Sequence, residues 1–163
     1  MNLACRKKSE MLRLQFRMSI RRYLLKAALF VLASLLSVTA NAQTNVAEKL
    51  TTLSLDKTLE GSSPEVKRTQ TALTRGLTVC DFANEEKLAN VAWFITKKIR
   101  EKGQYAEATD IIEGVNAALL GATAKQDCTE VMSLYAVSRI EGNTHSDSVA
   151  GARGLYRATG VVK

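Results

Sequence analysis

A basic stretch followed by a short apolar segment determines how many residues of this chain remain to form the folded protein. Arg21 and Arg22 precede residues 27–36, which carry no charge. Ala40 and Ala42 then supply the small side chains that a signal peptidase requires before its cut. The apolar run is well short of the roughly 20 residues that span a bilayer as a helix. The pattern predicts a secretory signal cleaved after Ala42, with no stable membrane anchor left on the mature chain.

The leader, residues 1–42, has a longer basic region than is usual for a secretory signal. Translation starts at Met1, or the true start is Met11 or Met18. Each alternative removes Cys5 with the leader. No cysteine directly follows the cut, so the sequence does not favour a lipid anchor there.

The net charge of the mature chain differs from that of the whole sequence. The 163 residues contain 23 Lys and Arg and 16 Asp and Glu, a net charge of +7. Removing the leader's eight basic residues and one acidic residue leaves 15 of each in residues 43–163. The high isoelectric point belongs to the leader, so the mature chain does not favour a nucleic-acid partner.

The mature composition predicts an all-α domain. Its 121 residues are enough for one small domain, Pro64 is its only proline, and no segment alternates polar and apolar residues as a half-buried strand does. We expect a compact bundle of about four to five helices. Residues 43–62 are an N-terminal arm or weak helix, with Val46, Leu50 and Leu53 on its apolar side, and residues 63–163 are the helical domain.

Capping residues and glycines punctuate the helices of that domain. Ser63 and Pro64 mark the first start, Asn84 marks the second, and Gly103, Gly121 and Gly142 mark stops. Thr144 and Ser146 are cap candidates for the last helix, whose apolar residues are Val149, Leu155 and Tyr156. The predicted helices are 64–78, 85–102, 104–120, 125–141 and one after residue 144.

The two mature cysteines flank the two central helices. Helices 85–102 and 104–120 have similar lengths and a very short link, which favours an antiparallel hairpin. Cys80 precedes this hairpin and Cys128 follows it, so both lie at its open base. An even cysteine count in an exported chain favours pairing. The sequence therefore predicts a Cys80–Cys128 disulfide.

The link of this hairpin resembles part of a tetratricopeptide repeat. Gly103, Tyr105 and Ala108 match the small, aromatic and small positions of that motif, which implies that Tyr105 packs over the turn. Thr96 stands where the repeat has glycine, and no second copy follows at the repeat period. We interpret the match as a tight helical hairpin outside the repeat family.

The cysteine layout is similar to that of the small acid-stress chaperones of the enteric periplasm. The matching residues are Cys80, Phe82, Cys128 and Thr129, and they cover about half of the mature chain. The resemblance implies a homodimer that dissociates or unfolds at low pH and covers apolar surfaces of other proteins. The predicted helices at both ends depart from that pattern.

Residues able to support catalysis do not form a recognisable set. His145, the only histidine, adjoins Ser146 and Asp147, but triad members come from distant parts of a fold. We expect His145 to be a solvated loop residue that helps to cap a helix. One histidine does not favour a zinc site, and neither a Cys-x-x-Cys motif nor a glycine-rich phosphate loop is present. We therefore expect no enzyme activity and no cofactor.

Charged pairs on the helices are expected to be solvated. Glu85 and Glu86 point about 100° apart on a helix and do not converge. Asp110 and Glu113 share a helix face beside the apolar stripe. The basic run at residues 97–102 offsets the negative end of its helix and is not expected to bind nucleic acid.

Trp93 and Phe94 are the candidate partner-binding residues. Together with the predicted buried stripe of their helix, which is Leu88, Val91, Ala92, Ile95 and Ile99, they make more than half of its circumference apolar. This favours burial between flanking helices. The alternative is an exposed surface for a partner or second subunit. The sequence as a whole predicts a periplasmic or secreted protein that acts by binding proteins, in stress protection or as a chaperone. The alternative is an inhibitor or immunity-type protein that blocks a secreted enzyme.

The predicted cleavage can be tested directly. Edman sequencing of protein from the periplasmic fraction should begin at Gln43, because Ala40 and Ala42 place the cut after residue 42. Intact leader recovered with the membrane fraction would contradict cleavage and indicate an anchor.

Overall fold

The structure, a computed structural model, describes residues 46–163, and all regular secondary structure in that range is helical. The predicted all-α class is confirmed, with six helices in the described range where four to five were expected. The predicted signal lies outside the described residues. The helices are α1 (46–55), α2 (Pro64–Val79), α3 (Glu85–Glu101), α4 (Ala108–Ala118), α5 (Cys128–Ile140) and α6 (His145–Ala158).

Helix α4 lies at the centre of the bundle. It packs against α2, α3, α5 and α6. Most of its residues are buried, and only Ala117 is fully exposed. The sequence of α4 is compatible with this burial, because its alanine, glycine and branched aliphatic residues occupy so much of the helix surface that no broad polar side remains to face solvent. The large buried side chains of α4 and its end are Ile111, Ile112, Val115 and Leu119.

Helices α3 and α4 form the predicted antiparallel hairpin. A Cβ placed on Gly76 of α2 would lie 2.5 Å from Leu88 Cδ2 and 3.5 Å from Asn116 Oδ1, so the start of α3 and the end of α4 meet at one point of α2. At the other end, Arg100 of α3 donates to the carbonyl of Ala106, just before α4. Only glycine fits at position 76 without displacing Leu88.

The disulfide closes the base of this hairpin. Cys80 follows the last residue of α2, Cys128 is the first residue of α5, and their Cα atoms lie 5.2 Å apart. Beside them, Gln126 donates its N–H to Val79 O and accepts from Asp81 N–H, both at 2.9 Å. The predicted Cys80–Cys128 pairing is confirmed, and short backbone pairing reinforces it.

The predicted caps of α2, α3 and α6 are present. Their N-cap residues are Ser63, Asn84 and Thr144, and each accepts a hydrogen bond from the backbone N–H three residues later. Side-chain acceptors satisfy N–H groups that have no partner within the helix. Of the two candidates for α6, Thr144 is therefore the cap.

Helix α4 begins at Ala108, later than the predicted residue 104. The carbonyl of Ala106 accepts from the Arg100 guanidinium and is held outside the helix. Glu107, the N-cap, makes no side-chain capping bond. Instead, Ser54 Oγ of α1 accepts from Ala108 N–H at 2.8 Å. A residue 54 positions away caps the central helix.

Helix α1 docks through hydroxyl groups as well as apolar contacts. Leu50 is buried, but Leu53, expected on the same side, is exposed. The buried side carries Thr51, whose hydroxyl lies 2.7 Å from Thr69 Oγ1, which in turn lies 2.7 Å from Thr109 Oγ1. This chain of buried hydroxyls joins α1, α2 and α4, because buried polar groups need hydrogen-bond partners.

One side of α6 also differs from the expectation. Tyr156 is buried and Val149 partly buried, as predicted, whereas Leu155 is 47% exposed. Ala152 occupies the inner side instead.

Loss of the disulfide should destabilise the fold strongly. The bond closes a loop with a sequence separation of 48, for which the chain-entropy model gives about 4 kcal/mol. Cys80→Ser or Cys128→Ser should lower the melting temperature by roughly 10–20 °C in calorimetry. The double variant is the control and should melt no lower than either single variant. Two titratable thiols in denatured, unreduced periplasmic protein would contradict the pairing.

Candidate functional site

Helix α3 has one buried side and one open side. Of the predicted stripe, Val91 is only partly buried, and the other members are buried: Leu88, Ala92, Ile95 and Ile99. Phe94 lies roughly opposite this stripe and is 53% exposed. The expectation that flanking helices bury both aromatics is wrong for Phe94, because α3 packs against α2, α4 and α5 from the stripe side.

Trp93 lies at the edge between these two sides. Its ring packs partly against the core and keeps part of its surface exposed. Trp93 therefore lies between the buried side of α3 and the exposed side that carries Phe94. The partner-binding interpretation of these two residues remains a prediction.

Lysines one helical turn further on cover the aromatic rings. Lys97 Nζ lies 6.0 Å from the centroid of the Trp93 ring, and Lys98 Nζ lies 5.6 Å from that of Phe94. Both pairs have i, i+4 spacing, which places the side chains on the same side of a helix. An ammonium at this distance interacts favourably with the ring electrons.

Arg100 connects α3 to α1 and to the link before α4, and its guanidinium lies against two aromatic rings. Its guanidinium carbon lies 5.9 Å from the Trp93 ring centroid and 5.8 Å from that of Tyr105. Its nitrogen atoms donate to Ala106 O at 2.9 and 2.7 Å and also to Ser54 O. A planar guanidinium can stack on rings and donate sideways at the same time.

Tyr105 lies outside the core. Its expected packing over the turn is wrong, because the ring is 63% exposed. Its backbone carbonyl accepts from Arg139 Nη2 at 2.7 Å, and its hydroxyl donates to the Glu107 carboxylate, which raises the pKa of Tyr105. Arg100 and Arg139 thus donate to two successive backbone carbonyls, Ala106 O and Tyr105 O, in the link before α4.

We call these residues the α3 outer face: Trp93, Phe94, Lys97, Lys98, Arg100 and Tyr105. Sequence reasoning identified the first two and treated the lysines as a solvated surface. The i, i+4 spacing of 93 with 97 and of 94 with 98 was the signal that links them. Nothing local predicts that Arg100 also contacts Ser54 of α1.

His145 takes part in structure, and its neighbours do not form a triad. It begins α6, so its predicted place in a loop is wrong. Its Nδ1 lies 2.8 Å from the Tyr135 hydroxyl, and burial raises the pKa of Tyr135 to about 12. Asp147 Oδ2 accepts from the Thr144 hydroxyl at 2.6 Å. Asp147 therefore supports the cap and makes no bond to the imidazole.

The acidic candidates also make structural contacts. Arg68 of α2 donates to Asp110 at 2.7 Å and to Glu113 at 2.9 Å, so this pair links α2 to α4. The expectation that Glu85 is solvated is wrong, because Glu85 is buried and accepts hydrogen bonds from Gln70 and Thr74 of α2. Across residues 46–163, no group of three or more His, Cys, Asp or Glu is placed to hold a metal ion.

Comparisons with protein-family models, curated proteins and solved structures find no significant match to this chain. In the part of the chain that the structure describes, no helix is long and apolar enough to cross a membrane. The function proposed below is therefore argued from the α3 outer face.

Removing the Arg100 guanidinium should destabilise the protein at the α3 outer face. Arg100→Ala leaves the Ser54 and Ala106 carbonyls without their charged donor and should lower the free energy of unfolding by roughly 1.5–3 kcal/mol. Arg100→Lys should recover only part of this, since an ammonium cannot fork between the two carbonyls. Denaturant titration followed by Trp93, the only tryptophan, measures both.

The matched control is Lys98→Ala, which removes an exposed ion pair with Glu101. Its effect should stay below about 1 kcal/mol. Native Trp93 emission should shift to the red in Arg100→Ala and stay unchanged in Lys98→Ala. An Arg100→Ala variant as stable as the parent would show that the contacts around Arg100 contribute nothing to the fold.

Proposed function

We propose that this protein is exported to the periplasm and acts by binding other proteins through the α3 outer face. The observation that carries the proposal is the 53% exposure of Phe94 on the outer side of α3, one residue from the partly exposed Trp93. Protein interfaces gain most of their binding energy from a few aromatic and arginine residues. The face combines three aromatic rings with Arg100.

Two rings of this face, those of Trp93 and Tyr105, are held in place before any partner arrives. Arg100 lies against Trp93 and Tyr105 while it is bonded to two carbonyl groups. Ordering side chains on binding costs roughly 0.5–1.5 kcal/mol for each flexible side chain. A face that is ordered in the free protein avoids much of that cost, which supports a role in recognition.

We further propose that the protein is exported and protects other proteins under stress. The disulfide suits an oxidising compartment such as the periplasm, and the predicted signal gives the route. Binding through an exposed aromatic face would let the protein cover apolar surfaces of damaged proteins, alone or as a homodimer. We propose binding and not catalysis because the candidate acids and the histidine make contacts that connect helices.

The rigidity of the face favours a second candidate function. An inhibitor or immunity-type protein presents a fixed projecting side chain to one pocket of a secreted enzyme. Phe94 on the outer side of α3 has that form. The two candidates differ in selectivity: a protective protein binds many unfolded chains weakly, and an inhibitor binds one folded enzyme tightly and stoichiometrically.

The proposal can be tested with Phe94→Ala and a matched control. Light scattering of heated citrate synthase, at neutral and acid pH, should show that the mature protein suppresses aggregation. Phe94→Ala should lose most of this effect, because it removes the exposed ring that we propose as the anchor. Leu155→Ala removes a similarly exposed apolar side chain from α6 and should retain the effect.

Both variants should melt within a few degrees of the parent, since neither side chain is buried. Equal suppression by Phe94→Ala and the parent would exclude the α3 outer face as the binding surface. Failure of the parent to suppress aggregation, with a tight equimolar complex formed with one periplasmic enzyme, would favour the inhibitor function instead.

A further inference from the structure

We propose that the α3 outer face selects acidic polypeptide segments, in which an apolar side chain is flanked by carboxylates. This inference rests on the proposed function and adds the chemistry of the partner. It follows from where the lysine ammonium groups lie relative to the exposed rings, and from how little of their charge the protein neutralises itself.

A partner cannot cover the aromatic rings without also covering the ammonium groups. Lys98 Nζ lies 5.6 Å from the centroid of the Phe94 ring, and Lys97 Nζ lies 6.0 Å from that of Trp93. A contact that excludes water from either ring therefore removes water from a cation. Such desolvation is unfavourable unless the partner supplies a negative group. Carboxylates beside the apolar side chain meet that requirement.

The positive charge at this end of α3 is only partly balanced. Residues 94–102 contain four basic residues and one acid, although the mature chain is balanced overall. Lys98 pairs with Glu101 at 2.9 Å. Arg100 is bonded to carbonyl groups, and within residues 46–163 neither Lys97 nor Lys102 forms an ion pair. Complementary charge on a partner would speed association, and like charge would oppose it.

An anionic membrane surface offers negative charge too, but the apolar part of this face is small. Phe94 and Tyr105 are the exposed rings, because Trp93 is partly packed against the core. A single acyl chain, with far more apolar surface, gives only marginal membrane binding. Tyr105 also carries a polar hydroxyl bonded to Glu107. These features favour a polypeptide partner over a bilayer.

Two unfolded chains of opposite charge test the inference. The probes are α-lactalbumin, which is acidic, and lysozyme, which is basic, each reduced and blocked with iodoacetamide so that no reductant reaches the Cys80–Cys128 bond. Calorimetric titration of the mature protein at low salt should show binding to α-lactalbumin that is about tenfold tighter than to lysozyme. Raising the salt concentration should reduce the difference in affinity between the two probes, because salt screens interactions between exposed charges.

Charge reversal on the face should remove the preference. Lys97→Glu with Lys98→Glu should weaken α-lactalbumin binding about tenfold. Lys125→Glu with Arg157→Glu changes the net charge equally at two exposed positions elsewhere and should change affinity less than twofold. Lys97→Gln with Lys98→Gln avoids placing a second acid beside Glu101 and should give an intermediate loss.

The outcomes separate this inference from the proposed function. Equal affinity for both probes, with both weakened by Phe94→Ala, would overturn the charge preference and leave protein binding in place. If neither probe binds, or if Phe94→Ala does not change the affinity for the probes, both the charge preference and the proposed function are overturned. Phe94-dependent binding to phosphatidylglycerol vesicles in the absence of binding to either probe would overturn both in favour of a membrane surface.

Discussion

Helix α4 is enclosed by α2, α3, α5 and α6, and this packing determines the arrangement of the other helices. An 11-residue helix has little stability of its own, so its neighbours must provide both its packing and its end groups. Ser54 caps it from α1, Arg68 reaches its acids from α2, and Arg100 fixes the link before it. With α4 surrounded, α3 becomes an outer helix with one side free.

The features that the sequence predicts well are local or depend on simple chain geometry. Ser63, Asn84 and Thr144 cap helices because a side-chain oxygen need reach only three residues along the chain. The Cys80–Cys128 bond follows from the antiparallel hairpin, which returns the chain to its starting end although its helices, of 17 and 11 residues, are less equal in length than predicted. The tertiary structure does not override these signals, so they hold in the folded protein.

The features that the sequence does not predict depend on distant partners. Threonine and serine made the helix at 46–55 look weak, yet Thr51 and Ser54 are the groups that dock it, through bonds to residues 18 and 54 positions away. The exposure of Phe94 is of the same kind. Periodicity shows that α3 has a wide apolar surface, but the number of helices around it is a property of the whole bundle.

We propose that partners contact the α3 outer face. Backbone amide resonances of isotope-labelled residues 43–163, recorded during titration with unfolded α-lactalbumin, locate this contact. Shifts should be concentrated at residues 93–102 and at Tyr105, while the resonances of Val137 and Leu155, which are exposed on α5 and α6, should not move. Shifts concentrated around Val137 and Leu155, with Phe94 and Lys98 unmoved, would contradict the proposal.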